Sequence, residues 1–166
     1  MATTLQLTSL VKCMLDWEEI DSDTGISLQR DEGINPDNID YTYGSGINQI
    51  NDAWYKELTI NGGSSYTVTL LSLPVTILGL TIYKNLTNLK TLIIENTAES
   101  GYLTVGNSGI SFGVDFIGNL IDIGYSGVYE MNSRSGIAIS SGKHMFIIRN
   151  PNSEAVTCKV LALGVE

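Results

Sequence analysis

The sequence predicts an all-β protein: an antiparallel β-sandwich or jelly roll of about ten short strands, with an N-terminal strand arm and at most one short helix. Runs of β-branched and other apolar residues recur along the 166 residues, and Gly, Pro, Asn or Ser closes each run. No long helical pattern separates these runs, whereas a parallel sheet needs crossover helices. The expected arrangement is therefore two packed antiparallel layers.

The predicted elements follow one another at short intervals. A strand at 3–15 leads into an acidic, irregular segment that ends at residue 40, and Ile47–Tyr55 is the one place where a short helical turn is expected. The other predicted strands are Tyr41–Tyr43, Lys56–Ile60, Ser65–Leu71, Thr76–Ile82, Leu89–Glu95, Tyr102–Val105, Leu120–Ile123, Gly127–Met131, Gly136–Ser140, His144–Arg149 and Ala155–Leu163. We expect a single domain, in which 1–40 form a strand arm with an acidic loop and 41–166 form the sandwich core.

Composition and charge restrict the possible partners. Charged residues make up only 16% of the chain, while Gly (17), Ser (16), Thr (15) and Asn (13) are abundant. The net charge is −9, and 1–57, with eleven acids and three bases, carry −8 of it. Such a surface repels phosphate, so we expect no nucleic-acid binding. We expect neither a signal peptide nor a membrane span, because the longest apolar stretch, Leu70–Ile82, is short and interrupted by polar residues.

The sequence offers little chemistry. Cys13 and Cys158 stand far apart without neighbouring metal ligands, so they are expected to be buried free thiols, with one disulfide as the alternative. Residues 21–32 contain an Asp-Thr-Gly tripeptide and a partial calcium-loop pattern, but the glycine is misplaced for calcium and no second Asp-Thr-Gly exists. Gly44-Ser-Gly46 lacks the third glycine of a dinucleotide site, and His144 has no nucleophile motif. We expect a non-enzymatic protein with no catalytic residue, no cofactor and no metal.

Aromatic residues are the candidates for an interface. Trp17, Tyr41, Tyr43, Trp54 and Tyr55 are the residues that the sequence offers as contacts with a partner. For the Trp54-Tyr55 pair, a tryptophan in the core with a tyrosine at its rim is the competing interpretation. Tyr41, Tyr43, Trp54 and Tyr55 are also the candidates if the protein binds sugars through stacked aromatic rings.

Three segments, in this order, resemble a group of small virion proteins of tailed bacteriophages. The first is Tyr43–Tyr55, with the pattern Gly-x-Gly-x-x-Gln-x-x-x-x-Trp. The second is Lys90–Asn96, a strand that ends in Asn and precedes the strand at 101–105. The third is the ending from Gly136 to Gly164, in which Gly142 precedes a strand, Asn150 follows it, and a last apolar strand closes the chain.

The resemblance implies a β-sandwich or jelly-roll structural protein of the virion. A capsid decoration (cement) protein is the first expectation: a homotrimer on the outer surface of the capsid, made in the bacterial cytoplasm and bound to the major capsid protein or another virion protein. A neck, tail or fibre-attachment component is the alternative within the same group. A carbohydrate-binding β-sandwich module is the alternative outside it.

Overall fold

In the computed structural model, the described residues are 9–12, 14–15, 19–20, 27–28, 39–77, 79–106 and 120–166. They form sixteen strands, in this order: β1 (Ser9–Lys12), β2 (Met14–Leu15), β3 (Glu19–Ile20), β4 (Ser27–Leu28), β5 (Ile39–Tyr43), β6 (Gln49–Ile50), β7 (Asp52–Ile60), β8 (Ser65–Thr69), β9 (Leu73–Ile77), β10 (Leu80–Lys84), β11 (Asn88–Asn96), β12 (Leu103–Gly106), β13 (Ile121–Ile123), β14 (Val128–Ala138), β15 (Met145–Arg149) and β16 (Val156–Val165). The predicted all-β class is confirmed.

Eight of these strands form a jelly roll. The first sheet has the order β14-β11-β16-β7 and the second has the order β13-β12-β15-β8, and every pair within them is antiparallel. Leaving aside β9 and β10, the chain passes from one sheet to the other at every connection from β7 to β16 except the one from β12 to β13. This alternation, with the last strand placed between the first and third of the eight, is the double Greek key of a jelly roll.

The main core fills the space between the two sheets. Alternate residues of each strand point inward, as the two-residue period of a strand requires. The inward side chains are large and apolar, and they include Trp54 and Leu58 of β7, Leu92 and Ile94 of β11, Leu103 and Val105 of β12, Phe146 and Ile148 of β15, and Val160 of β16. Hydrophobic burial across the sandwich is therefore the main stabilising contribution.

A second, smaller apolar cluster lies on the outer face of the first sheet. Tyr41 of β5 and Ile50 of β6 pack there against Ala53, Leu161 and Leu163. Strands β5 and β6 pair with each other in parallel, and β5 also pairs with β1. The last strand, β16, is consequently buried on both faces from residue 160 to residue 165, which explains its nearly continuous apolar sequence.

The predicted helical turn at Ile47–Tyr55 is wrong. Residues 44–48 form a tight turn in which Asn48 has a positive φ of 56°. Strand β7 then begins at Asp52, several residues before the predicted start at Lys56. The first three residues of β7 are all buried. Both faces of the strand are covered at this point, because Trp54 faces the sandwich while Ala53 faces the second cluster. Packing on both sides of the sheet thus decided the conformation of a segment whose intrinsic preference is weak.

Two other boundaries differ from the prediction. The strand predicted at Thr76–Ile82 is a hairpin, because Gly79, with φ of +81°, reverses the chain between β9 and β10. The two strands predicted at 127–131 and 136–140 are one strand, β14, which is interrupted by a bulge. That bulge places the four residues 133–136 opposite the single residue Lys90 of β11.

The predicted division into 1–40 and 41–166 stays a prediction. Strand β5, at Ile39–Tyr43, crosses the proposed boundary, and part of the predicted arm, Ser9–Lys12, pairs with β5 of the same chain. The described residues contain no helix with the length and hydrophobicity that a membrane span requires.

Candidate interaction surfaces

The turn between β5 and β6 is shaped by two glycines and one glutamine. The Gln49 side chain folds back over the turn, where its Oε1 accepts a hydrogen bond of 2.8 Å from the backbone N–H of Gly46. A Cβ atom at Gly44 would lie 2.5 Å from that same oxygen, and Gly44 has a φ of +148°. The Gly-x-Gly-x-x-Gln part of the sequence pattern therefore builds a turn.

Lys90 fastens this turn to the first sheet. Lys90 is the extra residue of the bulge in β11 and is only 1% exposed. Its ammonium group donates to the carbonyl oxygens of Ser135, Arg134 and Gly46 at 2.8, 3.1 and 3.2 Å. All three donors of the ammonium group are thereby used, which is the condition for burying such a charge. Burial lowers the pKa of Lys90 because the charged form loses hydration.

Apolar side chains are exposed on this fixed turn. Ile47 is 74% exposed at its tip, and Tyr43 is exposed on the preceding strand. The neighbouring residue Asn48 donates its backbone N–H to Arg134 O at 3.1 Å, so the turn is also bonded to the bulge of β14. An exposed apolar group on a fixed backbone loses little conformational entropy when a partner covers it. Tyr43 and Ile47 therefore form the first candidate contact surface, which we call the turn surface.

The aromatic residues predicted for an interface do not share one location. Tyr41 and Trp54 are each only 2% exposed, so they belong to the core and cannot present a contact surface in this conformation. Tyr43 and Tyr55 are exposed, and Trp17 lies outside the described residues. The interpretation that competed with an interface role for this pair, a Trp54 in the core beside a Tyr55 at its rim, is confirmed by the burial of the two side chains.

Hydrogen bonds explain why the two aromatic residues with polar groups are tolerated inside. The Trp54 indole N–H donates to Pro74 O at 3.0 Å. The Tyr41 hydroxyl lies 3.1 Å from Thr91 Oγ1 and 3.3 Å from Lys90 O. Burial raises the pKa of Tyr41, and the hydrogen bond with Thr91 opposes this shift. Both aromatic residues are therefore structural.

The β9–β10 hairpin is the second candidate surface, and its base is firmly anchored. Leu73 of β9 is fully buried in the main core, and Val75 packs against that core. At the end of β10, Lys84 Nζ donates to Asp52 Oδ1 at 2.6 Å and to Ala53 O at 3.1 Å. Together with the bond from the Trp54 indole, these contacts hold both strands of the hairpin against the start of β7.

Beyond this base, the hairpin presents apolar side chains on its outer strand. Leu80 is 68% exposed, Tyr83 is 63% exposed, and Ile82 is exposed as well. Except for Lys84 at its end, the hairpin lies within a stretch of 26 residues, Leu58–Tyr83, that contains no charged residue. Exposed apolar residues on an uncharged edge strand are a recognised site for association with another chain.

Sequence reasoning missed this hairpin although one signal for it was present. Gly79 interrupts the apolar run that we predicted as one strand, and a glycine between two apolar stretches is a turn signal. The structural role of Lys90 had no local signal, because its three acceptors come from distant parts of the chain.

The residues with possible chemistry are dispersed. Cys158 is a free, fully buried thiol whose pKa burial raises to about 11. His144 lies just before β15, where its backbone oxygen accepts a hydrogen bond from Leu70 N. The aspartates of the Asp-Thr-Gly and calcium-loop patterns, and Cys13, lie outside the described residues. Among the described residues, no group of three or more His, Cys, Asp or Glu side chains is placed to hold a metal ion.

Comparison with known proteins leaves the family open. No family model and no curated protein sequence matches the chain. Among solved structures, PirA matches at 13% identity and a TM-score of 0.37, covering 66% of this chain and 93% of PirA. The Yersinia pseudotuberculosis-derived mitogen matches at 12% identity and a TM-score of 0.36, covering 68% and 86%. A disulfide-linked Bacillus endospore appendage pilus protein matches at 9% identity and a TM-score of 0.28, covering 69% and 89%. These scores are too low to carry an argument about function.

Proposed function

We propose that this protein is a structural component of a tailed-bacteriophage virion, which decorates the capsid and stabilises the shell through contacts with itself and with a capsid subunit. The observation that carries this proposal is the pair of firmly anchored surfaces with exposed apolar side chains, the turn surface (Tyr43, Ile47) and the β9–β10 hairpin. Jelly-roll domains are common in viral capsids. The three sequence segments that resemble virion proteins point in the same direction.

The stabilising mechanism would be burial of surface. Covering a Leu, Ile or similar side chain completely contributes about 1.5–3 kcal/mol. Leu80, Ile82 and Tyr83 alone would thus contribute several kcal/mol per subunit, before the entropic cost of association. Many copies bound in this way would add up to a large resistance against expansion of the shell. The strong negative charge suits the outer surface, because a part that touches DNA requires basic residues.

The proposal also divides the contacts between two partners. The homotrimer would use edges of the sandwich, and the shell contact would use the N-terminal arm with its acidic loop.

A neck, tail or fibre-attachment component would use the same fold with a different ring symmetry. The carbohydrate-binding alternative proposed four aromatic residues for stacking on a sugar. Two of these, Tyr41 and Trp54, are buried and are not accessible to a sugar.

Binding to shells tests this proposal. Shells assembled without the protein are mixed with the purified wild type, with Leu80→Lys, and with Ser141→Lys, which adds the same charge at an exposed polar turn. We expect the wild type and Ser141→Lys to co-sediment with shells at one defined copy number. Leu80→Lys should bind more weakly, because copies that no longer contact each other through the hairpin lose avidity for the shell. If none of the three proteins co-sediments with shells, the decoration role is wrong.

A further inference from the structure

The outer edge of the β9–β10 hairpin has a geometry that suits a second copy of itself. A two-residue loop joins Ile77 and Leu80, which pair with each other. In such a hairpin the closing pair exchanges hydrogen bonds, and the bonds then alternate along the ladder. The N–H and C=O groups of Leu80 and Ile82 therefore point toward β9. Those of Thr81 and Tyr83 point to the outer edge, and in the described part of the chain only β9 pairs with β10.

Charge limits which partner can occupy this edge. The chain carries −9, of which 1–57 carry −8, so contacts between two copies that include this acidic part bring like charges together. The hairpin is an exception, since the chain is uncharged from Leu58 to Tyr83. Lys84, which ends the strand, is already paired with Asp52 at 2.6 Å. The charged side chains of a highly charged partner would lose hydration against this edge without gaining an opposite charge. A second hairpin brings almost no charge to the contact, so it avoids this cost.

We propose that two copies of this chain associate by antiparallel pairing of β10 with β10 about a twofold axis at Ile82. In this register, Thr81 of one copy lies opposite Tyr83 of the other, and each of the two symmetric pairs exchanges two backbone hydrogen bonds. Ile82 meets Ile82 of the second copy as a non-hydrogen-bonded pair. Lys84 lies opposite Leu80 of the second copy, so no two like charges face each other.

The contact deepens the proposed function, because it names one copy-to-copy surface of the assembly. A twofold contact at the hairpin and a threefold contact elsewhere on the sandwich use different surfaces. Together they would link neighbouring trimers over a shell, whereas the hairpin contact alone would give a dimer. Its biological role rests on the proposed function, but its existence can be tested on the purified protein without any shell.

Disulfide trapping at the axis is the direct test. Ile82→Cys is made in a Cys13→Ser background, in which the remaining native thiol, Cys158, is buried. Across the axis, the two Cα atoms at position 82 would be about 4.5 Å apart, which a disulfide spans. The matched control is Thr81→Cys, an exposed neighbour on the same strand. Its two copies would be roughly 8 Å apart, too far for a disulfide.

We expect Ile82→Cys to form a covalent dimer under mild oxidation at roughly ten times the rate of Thr81→Cys or faster. In the Cys13→Ser background without a new cysteine, Thr81→Pro removes the outward N–H of β10. It should abolish the reversible β10-to-β10 association in sedimentation velocity, whether the associating units are single copies or trimers, with an unchanged circular dichroism spectrum. Equal cross-linking rates, or no cross-linking of either variant, would overturn the β10 pairing. Because no shell is present, that result leaves the co-sedimentation test of the proposed function unaffected.

Discussion

Asn150, at the end of β15, offers the sharpest test of how the loops of this sandwich are held. The residue is only 1% exposed. Its side-chain amide donates to Ile60 O at 2.8 Å and to Glu154 O at 2.7 Å. Its Oδ1 accepts from the backbone N–H and the side-chain amide of Asn152 at 3.0 and 2.7 Å. Asn150 thus satisfies all four of its hydrogen-bonding positions and joins the β15–β16 loop to the end of β7.

Replacing Asn150 with Ala leaves two carbonyl oxygens and one backbone N–H around this buried position without their partners. At about 1–3 kcal/mol for each group, and with some access of water, we expect a loss of about 4 kcal/mol in the free energy of unfolding. A chain of this size then melts roughly 8–16 °C lower. Asn150→Asp keeps the shape but loses both donors, so its loss at neutral pH should be at least as large.

Urea unfolding followed by tryptophan fluorescence measures the change, since Trp54 lies in the main core. Asn85→Ala, at an exposed position, is the control and should change the free energy of unfolding by less than about 0.5 kcal/mol. If Asn150→Ala costs no more than Asn85→Ala, the bonding of this loop described above does not stabilise the fold.

Three further changes test other parts of the account. Burial raises the pKa of Cys158 from 9.0 to about 11, so a thiol reagent should label this residue at pH 8 only after urea is added. The thiol's contribution to stability should be lost as the pH rises from about 9 to 11, because the unfolded chain then loses the proton before the folded protein does. Rapid labelling of Cys158 in the folded protein would contradict this. Gly44→Ala places a Cβ against Gln49 Oε1 at a positive φ, so thermal unfolding should show a loss of about 1–3 kcal/mol, whereas an unchanged melting temperature would contradict the described turn. Asp52→Asn leaves the largely buried Lys84 ammonium without its carboxylate and should cost about 3 kcal/mol in urea unfolding; a loss below about 1 kcal/mol would mean that this pair does not anchor the hairpin.

Local sequence patterns predicted the strands well and the special sites poorly. The strands at Leu89–Glu95 and His144–Arg149 are recognisable because each is a short run rich in apolar residues with turn residues nearby on either side. The segment Ile47–Tyr55 has no such pattern, and its conformation depends on two clusters that distant strands complete. A turn at Gly79 was signalled locally, but only the register of β9 and β10 shows that an exposed edge results.

The same distinction applies to the candidate contact residues. An aromatic residue in the sequence signals burial or binding equally well, and tertiary packing alone placed Trp54 inside and left Tyr43 outside. Lys90 illustrates the opposite case, because a lysine in an apolar strand suggests a solvated edge. Its three carbonyl acceptors come from a turn and a bulge that are brought together only in the folded chain.

The most direct test of the central claim, that this protein works by assembling with itself and with a shell, is its mass in solution by light scattering, measured alone and with phage shells that lack it. The account predicts a stable trimer that binds shells at a copy number matching their threefold positions. A monomer, or a larger ring that ignores shells, would contradict capsid decoration and move the proposal to the neck or tail of the virion.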